Sequence, residues 1–250
     1  MTVWDAMIGQ PEAVKALQAA AEDGRRVVNG EDGSGALSHA WLITGPPGSG
    51  RSLAARCLAA ALQCTGEVVG CGTCPGCRTT MAGTNPDVQD ISTDLTQFKR
   101  KEVHEWVDTS YQAPSQGRWR VTLVQDADRM STETSNILLK SVEEPPDRGV
   151  WILCAPTAGE VLPTIRSRSR SLVLRTPSAQ AVADYLAEEE GASPDDALRA
   201  ARLAQSHVGL ARALLRDPSL RADRRALFEL PLDGRTDHPA MTSDKNALFT

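Results

Sequence analysis

Gly45-Pro46-Pro47-Gly48-Ser49-Gly50-Arg51-Ser52 is the stretch on which the reading of the fold turns. It follows the phosphate-loop pattern G-x-x-x-x-G-K-[ST] with one change: Arg51 stands where the lysine belongs. The apolar run Ala40-Trp41-Leu42-Ile43-Thr44 before it predicts a buried strand, and the alanine- and leucine-rich run from Leu53 to Leu62 after it predicts a helix. Strand, glycine-rich turn and helix in this order are the setting a phosphate loop needs. The glycines let backbone N–H groups converge on one point, where the helix N-terminus adds positive potential. Gly45, Gly48, Ser49, Gly50, Arg51 and Ser52 are therefore read as an anion site. The default ligand is ATP or ADP, with Mg2+ alongside it near Ser52. The competing reading, a turn that serves packing alone, leaves three glycines at the required spacing and a hydroxyl at the metal position as coincidence.

The predicted strand Val121-Thr122-Leu123-Val124 ends at Gln125-Asp126-Ala127-Asp128. A phosphate-loop ATPase carries a carboxylate for Mg2+ at such a strand end, and a residue that positions the attacking water. No register here provides an adjacent Asp-Glu pair. Asp126 either serves the nucleotide site or, with Asp128, caps the next helix. Thr157, near the end of the predicted strand Val150–Cys154, either senses a γ-phosphate or caps a turn.

Four of the six cysteines crowd into the segment Cys64-x6-Cys71-x2-Cys74-x2-Cys77, punctuated by Gly70, Gly72, Pro75 and Gly76. Two C-x-x-C steps sharing Cys74 bring three sulfurs together, and Cys64 at the preceding helix end supplies a fourth. Tetrahedral Zn2+ held by four thiolates is the natural occupant, and a closed donor set makes it structural. Iron–sulfur ligation and a redox pair fit the spacing and context less well. Cys57 and Cys154 sit alone in apolar runs and read as small core residues.

A chain of 250 residues has room for one or two domains with a substantial core. The formal net charge of −5 argues against a chain that grips nucleic acid over its whole surface, though not against a local basic patch. That weakens the reading of a zinc-stapled DNA-binding module. The N-terminus lacks a basic stretch followed by an apolar one, and no run approaches the roughly 18 apolar residues of a membrane span. The expected compartment is the cytoplasm, with no membrane partner.

Read in order, strands alternate with helices, which predicts an α/β fold with a parallel sheet and helices on both faces. A helix over the Val14, Leu17, Ala20, Ala21 positions is expected to give way to a loop over Gly24–Gly35. Gln10 is a weak cap for it, and Pro11 suits its first turn. Sites belong at the carboxyl ends of the strands. Residues 1–175 form this core, with the cysteine insert at 64–77. Residues 176–230 predict four helices of a small lid: from Ser178 to Glu190, from Ser193 to about Ser206, from Gly209, and over 220–229. Residues 231–250 are expected to be irregular. Arg212 is read as an exposed helical arginine or a contact to nucleotide across the cleft. Arg166-Ser167-Arg168-Ser169-Arg170 is either a solvated edge or an arginine placed to reach a neighbouring subunit's phosphates.

Several stretches together resemble the AAA+ clamp loader of bacterial DNA polymerase III. They are Trp4…Ile8-Gly9-Gln10, the phosphate loop, the four-cysteine insert and Tyr111-Gln112-Ala113-Pro114. To these are added Asn136-Ile137-Leu138-Leu139-Lys140-Ser141-Val142-Glu143-Glu144-Pro145-Pro146 and Thr164-Ile165-Arg166-Ser167-Arg168. The likeness spans residues 3 to about 175, with the lid continuing to about 230. It implies a ring of subunits that opens the sliding clamp and places it on primed DNA during replication. Gamma/tau motor subunits and a delta subunit are the implied partners. The motor kind has the phosphate-loop lysine and an Asp-Glu pair. The delta prime kind is permitted to lose both, and Arg51 with Gln125-Asp126-Ala127 matches it. The resemblance also implies that Arg168 enters the ATP site of the adjacent motor as an arginine finger, although Ser169 replaces the cysteine of the family's Ser-Arg-Cys motif. The alternative is a gamma/tau-like ATPase that tolerates Arg51. Family members continue into a helical collar, which this chain, ending at Thr250, is expected to lack.

Overall fold

Ala40 to Thr44 are buried at every position, as a strand with neighbours on both edges and helices on both faces must be. In the computed structural model, which describes residues 2–115 and 118–217, this strand is β1 (Ala40–Thr44). The others are β2 (Val88–Ile91), β3 (Arg120–Val124), β4 (Gly149–Ala155) and β5 (Arg170–Val173). They form one sheet in the order β2-β3-β4-β1-β5, every neighbouring pair parallel. Ala40 to Thr44 pair with Trp151 to Ala155 on one side, and Trp41 to Thr44 with Arg170 to Val173 on the other. All five carboxyl ends therefore open on one edge of the sheet.

The two faces divide by the strand's period of two. Trp41 and Ile43, with Leu123, Ile152 and Cys154, pack against α1 (Pro11–Val28) and α2 (Arg51–Leu62). Leu42, with Val124, Trp151 and Leu153, packs against α4 (Arg100–Ser110) and α5 (Thr132–Glu143). The helix α3 (Pro75–Met81) begins within the cysteine insert, carries Cys77 and lies on α2. Gly76 of α3 makes that approach possible, because a Cβ there would stand 2.0 Å from the Gln63 carbonyl oxygen. The four-residue α6 (Pro163–Arg166) leads into β5. The helices α7 (Ala179–Glu190), α8 (Pro194–Leu203) and α9 (Val208–Arg216) bury Val182, Leu186, Ala197, Ala201 and Leu214 in a cluster of their own. Ser178, Ser193 and His207 cap these three helices, each accepting a backbone N–H with its side chain. The expected helix over 220–229 and the tail 231–250 lie outside the described residues.

Two boundaries differ from expectation. The helix α1 runs through Gly24 to Val28 before the loop begins. Gly24 is not a breaker but a packing position: a Cβ there would come within 2.8 Å of Leu62 and 3.0 Å of Leu37. The helix α8 ends at Leu203 rather than near Ser206, because Gln205 and Ser206 take positive φ.

The buried Asp23 gathers the loop after α1. Its carboxylate accepts the Leu37 N–H at 2.8 Å and the Ser34 hydroxyl at 2.9 Å, and also the Ser34 N–H. Burial raises its pKa, but the N–H groups of Leu37 and Ser34 outweigh that, and the net shift is downward. A depressed carboxyl contributes stability that is present above its unfolded pKa of about 3.9 and lost as pH falls through the folded value. The Asp23→Asn variant is expected to melt below the parent at pH 7. Thermal melts taken at successively lower pH should show the gap closing below about pH 4.

Candidate functional site

The strand β1 delivers the chain to Gly45 at the open edge of the sheet, and α2 leaves from it. Gly48 and Gly50 adopt φ of 83° and 89°, the left-handed region that glycine enters without strain. Gly48 is also the only residue type that fits beneath the lid, since a Cβ there would stand 2.9 Å from His207. The Gly45 N–H donates to the Pro156 carbonyl at 3.2 Å, fastening the loop to the end of β4.

A cavity of about 600 Å³ lies over the loop. Gly48, Ser49, Gly50, Arg51 and Ser52 form its floor, Met7, Ile8 and Gln10 one wall, and Tyr185, His207 and Arg212 the lid side. Gln10 locks these parts together. It makes no side-chain cap for α1; its carboxamide instead donates to the Arg175 carbonyl at 2.5 Å and to the Ser49 carbonyl at 3.4 Å. Its oxygen accepts the Arg175 N–H at 3.3 Å.

Arg51 folds back onto its own loop, donating to the Gly45 carbonyl at 2.7 Å. Arg56, the other charged residue of α2, also lines the cavity and pairs with Asp90 at 2.6 Å. Asp90 Oδ1 accepts from the Gln125 carboxamide at 2.5 Å. Asp126 does not cap the following helix, and neither does Asp128: Asp126 accepts the Thr93 N–H at 3.2 Å, and the cap of α5 is Ser131. Burial pushes the Cys154 thiol up to about 12, and the charges of Arg51, Asp90, Asp126 and Arg56 all act on it. Cys57 is raised to about 12 by burial, and both cysteines behave as core residues.

Asp126 and Thr157 are not among the residues that line the cavity. Thr157 is exposed and opens a short 3-10 turn, its N–H donating to Glu160 at 3.1 Å. Arg212 is half-buried rather than exposed: Glu190 holds it at 2.8 Å, and the Tyr185 hydroxyl accepts from it at 2.8 Å. Arg168 stands away from the cavity, between α6 and β5. It pairs with Glu143 at 2.8 Å and donates to the Thr164 carbonyl at 2.9 Å. The sequence assigned no site role to Arg56 and read Gln10 only as a weak cap. The signal for Arg56 was a lone charge in the alanine- and leucine-rich run Leu53–Leu62; for Gln10, whose backbone partners are distant in sequence, it was only its place in the stretch Trp4…Ile8-Gly9-Gln10.

The thiols of Cys64, Cys71, Cys74 and Cys77 all lie within 4.8 Å of one another, with Cys64 and Cys74 3.8 Å apart. A tetrahedron of sulfurs about 2.3 Å from a central ion has edges of roughly 3.8 Å, so the cluster is close to metal-ready. Backbone N–H groups of Cys74, Cys77 and Thr65 point at the sulfurs at 3.3 to 3.4 Å. Burial opposes ionisation of Cys74, but the N–H groups of Cys77 and Thr65 prevail and bring it down to about 5. Arg25 of α1 adds a cation 3.8 Å from Cys64 and grips the Gly66 carbonyl at 2.8 Å. The insert is docked on the N-terminal turn, where Val3 N–H meets the Gly70 carbonyl at 2.9 Å and Trp4 Nε1 meets the Val69 carbonyl at 3.1 Å.

A family model described as DNA polymerase III, delta subunit, matches residues 10–178. The DNA polymerase III subunit gamma/tau of Mycobacterium bovis is 32% identical over 198 residues, covering 77% of this chain and 32% of that protein. The DNA polymerase III subunit delta' of Pseudomonas aeruginosa is 32% identical over 165 residues, covering 64% of this chain and 50% of that protein. The aligned part of the chain thus amounts to a third to a half of these relatives. A RuvB variant from Thermotoga maritima superposes with a TM-score of 0.59 at 17% identity, over 90% of this chain and 65% of that one, a likeness of fold alone.

The thiol cluster is expected to take up one thiophilic divalent ion per chain. Titration with Co2+, followed by thiolate charge-transfer absorption, checks this. The Cys74→Ser variant should lose most of that signal.

Proposed function

Because the chain belongs to the DNA polymerase III delta subunit family of AAA+ clamp-loader subunits, we propose that it serves as a non-motor, delta prime-like member of the loader. In this reading it helps place the sliding clamp on primed DNA, beside gamma/tau motor subunits and a delta subunit. The core and lid grip ATP or ADP in the cavity over Gly45–Ser52, and Zn2+ in the four-cysteine insert staples the core. The lid is assigned to residues 176–230.

The observation that carries the non-motor role is at the end of β3. Gln125 holds a neutral carboxamide there, tied to Asp90, where a motor needs a carboxylate for its metal. Asp126 accepts a backbone N–H from Thr93, and Ala127 follows it. With Arg51 on the Gly45 carbonyl, the ammonium that would bridge the β- and γ-phosphates is missing as well. The site keeps what binds a nucleotide and lacks what splits it.

The same reading gives Arg168 its role. Its side chain is 40% exposed and does not line the chain's own cavity, which supports its being available to a neighbour. An arginine supplied in trans stabilises the charge that develops on the transferred phosphoryl group. The gamma/tau-like ATPase is kept as a second reading, because gamma/tau proteins are among the relatives at 32% identity.

The purified chain is expected to hydrolyse ATP no faster than a buffer blank; steady turnover by the chain alone overturns the non-motor role. In the reassembled complex, Arg168→Ala is expected to lower the motor's rate by about 10³. Its own melting should barely change, since an exposed ion pair contributes about 0–1 kcal/mol. An unchanged rate removes the finger.

A further inference from the structure

Among the described residues, three arginines and no carboxylate line the cavity. Mg2+ demands near-octahedral oxygen coordination, completed by one or two carboxylates together with phosphates and water. The side chains at the ends of β2 and β3 do not meet that requirement. Gln125 is neutral, and both oxygens of Asp90 are engaged, one by Arg56 at 2.6 Å and the other by Gln125 at 2.5 Å. Asp126 is bonded to the Thr93 N–H and does not line the cavity.

Two guanidiniums of α2 do line it. Arg51 meets a carbonyl, an acceptor that leaves its charge uncompensated. Arg56 shares its charge with Asp90, yet its side chain remains 41% exposed. Arg212, the third arginine of the cavity, is already matched by Glu190. Ser49 supplies an independent sign of a ligand. It is 3% exposed and lines the cavity, and its hydroxyl has no hydrogen-bond partner among the described residues. A buried hydroxyl without a partner costs about 1–3 kcal/mol, which a phosphoryl oxygen would relieve.

We propose that this cavity binds a nucleoside di- or triphosphate as the metal-free polyanion, with Arg51 and Arg56 in place of the divalent cation. The proposal rests on the cavity being a nucleotide site. A guanidinium is weakly hydrated, permanently charged and able to donate in pairs to phosphate oxygens, so Arg51 and Arg56, the latter sharing its charge with Asp90, together supply donors and positive charge without a dication's coordination demands. Binding then stabilises the closed core and lid without arming the phosphates for transfer.

Titration of the full chain with ADP and with ATP, in Mg2+ and in EDTA, tests it by calorimetry. The expected Kd in EDTA is no more than threefold above that in Mg2+, or lower. A larger weakening in EDTA overturns this proposal while leaving the nucleotide assignment standing. Absence of binding in both buffers overturns the nucleotide assignment, and this proposal with it. The Arg51→Ala variant, with its fold checked by circular dichroism, is expected to lose fivefold or more of its affinity in EDTA. A smaller loss means that Arg51 is not the counter-charge, and also overturns the proposal.

Discussion

Burial of one five-residue strand on both faces and both edges is the constraint from which the rest follows. Ala40 to Thr44 can satisfy their backbone groups only through β4 and β5, and their side chains only through helices above and below. Fully burying Trp41, Leu42 and Ile43 stabilises the fold by roughly 1.5–3 kcal/mol for each aliphatic side chain, and more for the larger indole. That packing makes β1 rigid, so the turn after it is held at a defined place on the sheet edge. A glycine-rich turn on a loose strand would be a flexible loop. On this one it is a cradle with a fixed mouth.

The second level of organisation is the set of ties that converge on that turn. Gln10 bonds to the loop and to the chain leaving β5. The N-terminal turn that precedes Gln10 is pinned to the cysteine insert through Val3 and Trp4. The lid reaches the loop through His207 against Gly48. The insert is therefore more than a distant staple. It holds the segment that supplies one wall of the cavity, so the four thiols and the phosphate loop form one connected structure.

The charges around the cavity tell a consistent story. A motor site brings a carboxylate, a metal and a mobile ammonium to the phosphates. Here two guanidiniums of α2 line the cavity, and Asp90 is already engaged by Arg56 and by the Gln125 carboxamide. The change from lysine to arginine is small in net charge and large in geometry, because a planar fork cannot occupy the point where a compact ammonium sits. Arg168, in the step from α6 into β5, is held by a carboxylate and a carbonyl and still remains partly exposed.

Much of this was legible in the sequence. The apolar run before Gly45, the glycine spacing, the alternation of strands and helices and the four-cysteine pattern each carry their physics locally, through periodicity, φ preference and ligand chemistry. The same is true of the helix starts at Ser178 and Ser193, which are read over three or four residues. What the sequence could not decide depends on pairs that meet only when the chain folds. Gly24 looks like a helix breaker until Leu62 and Leu37 close over it. Asp126 looks like a cap until Thr93 arrives from another strand end, and Gln10 looks like a poor cap until Arg175, far along the chain, presents its carbonyl. The kinds of chemistry present follow from local residue order. Which charges stay free and which are already matched follows from tertiary contact, because a partner's distance in space has no counterpart in its distance along the chain.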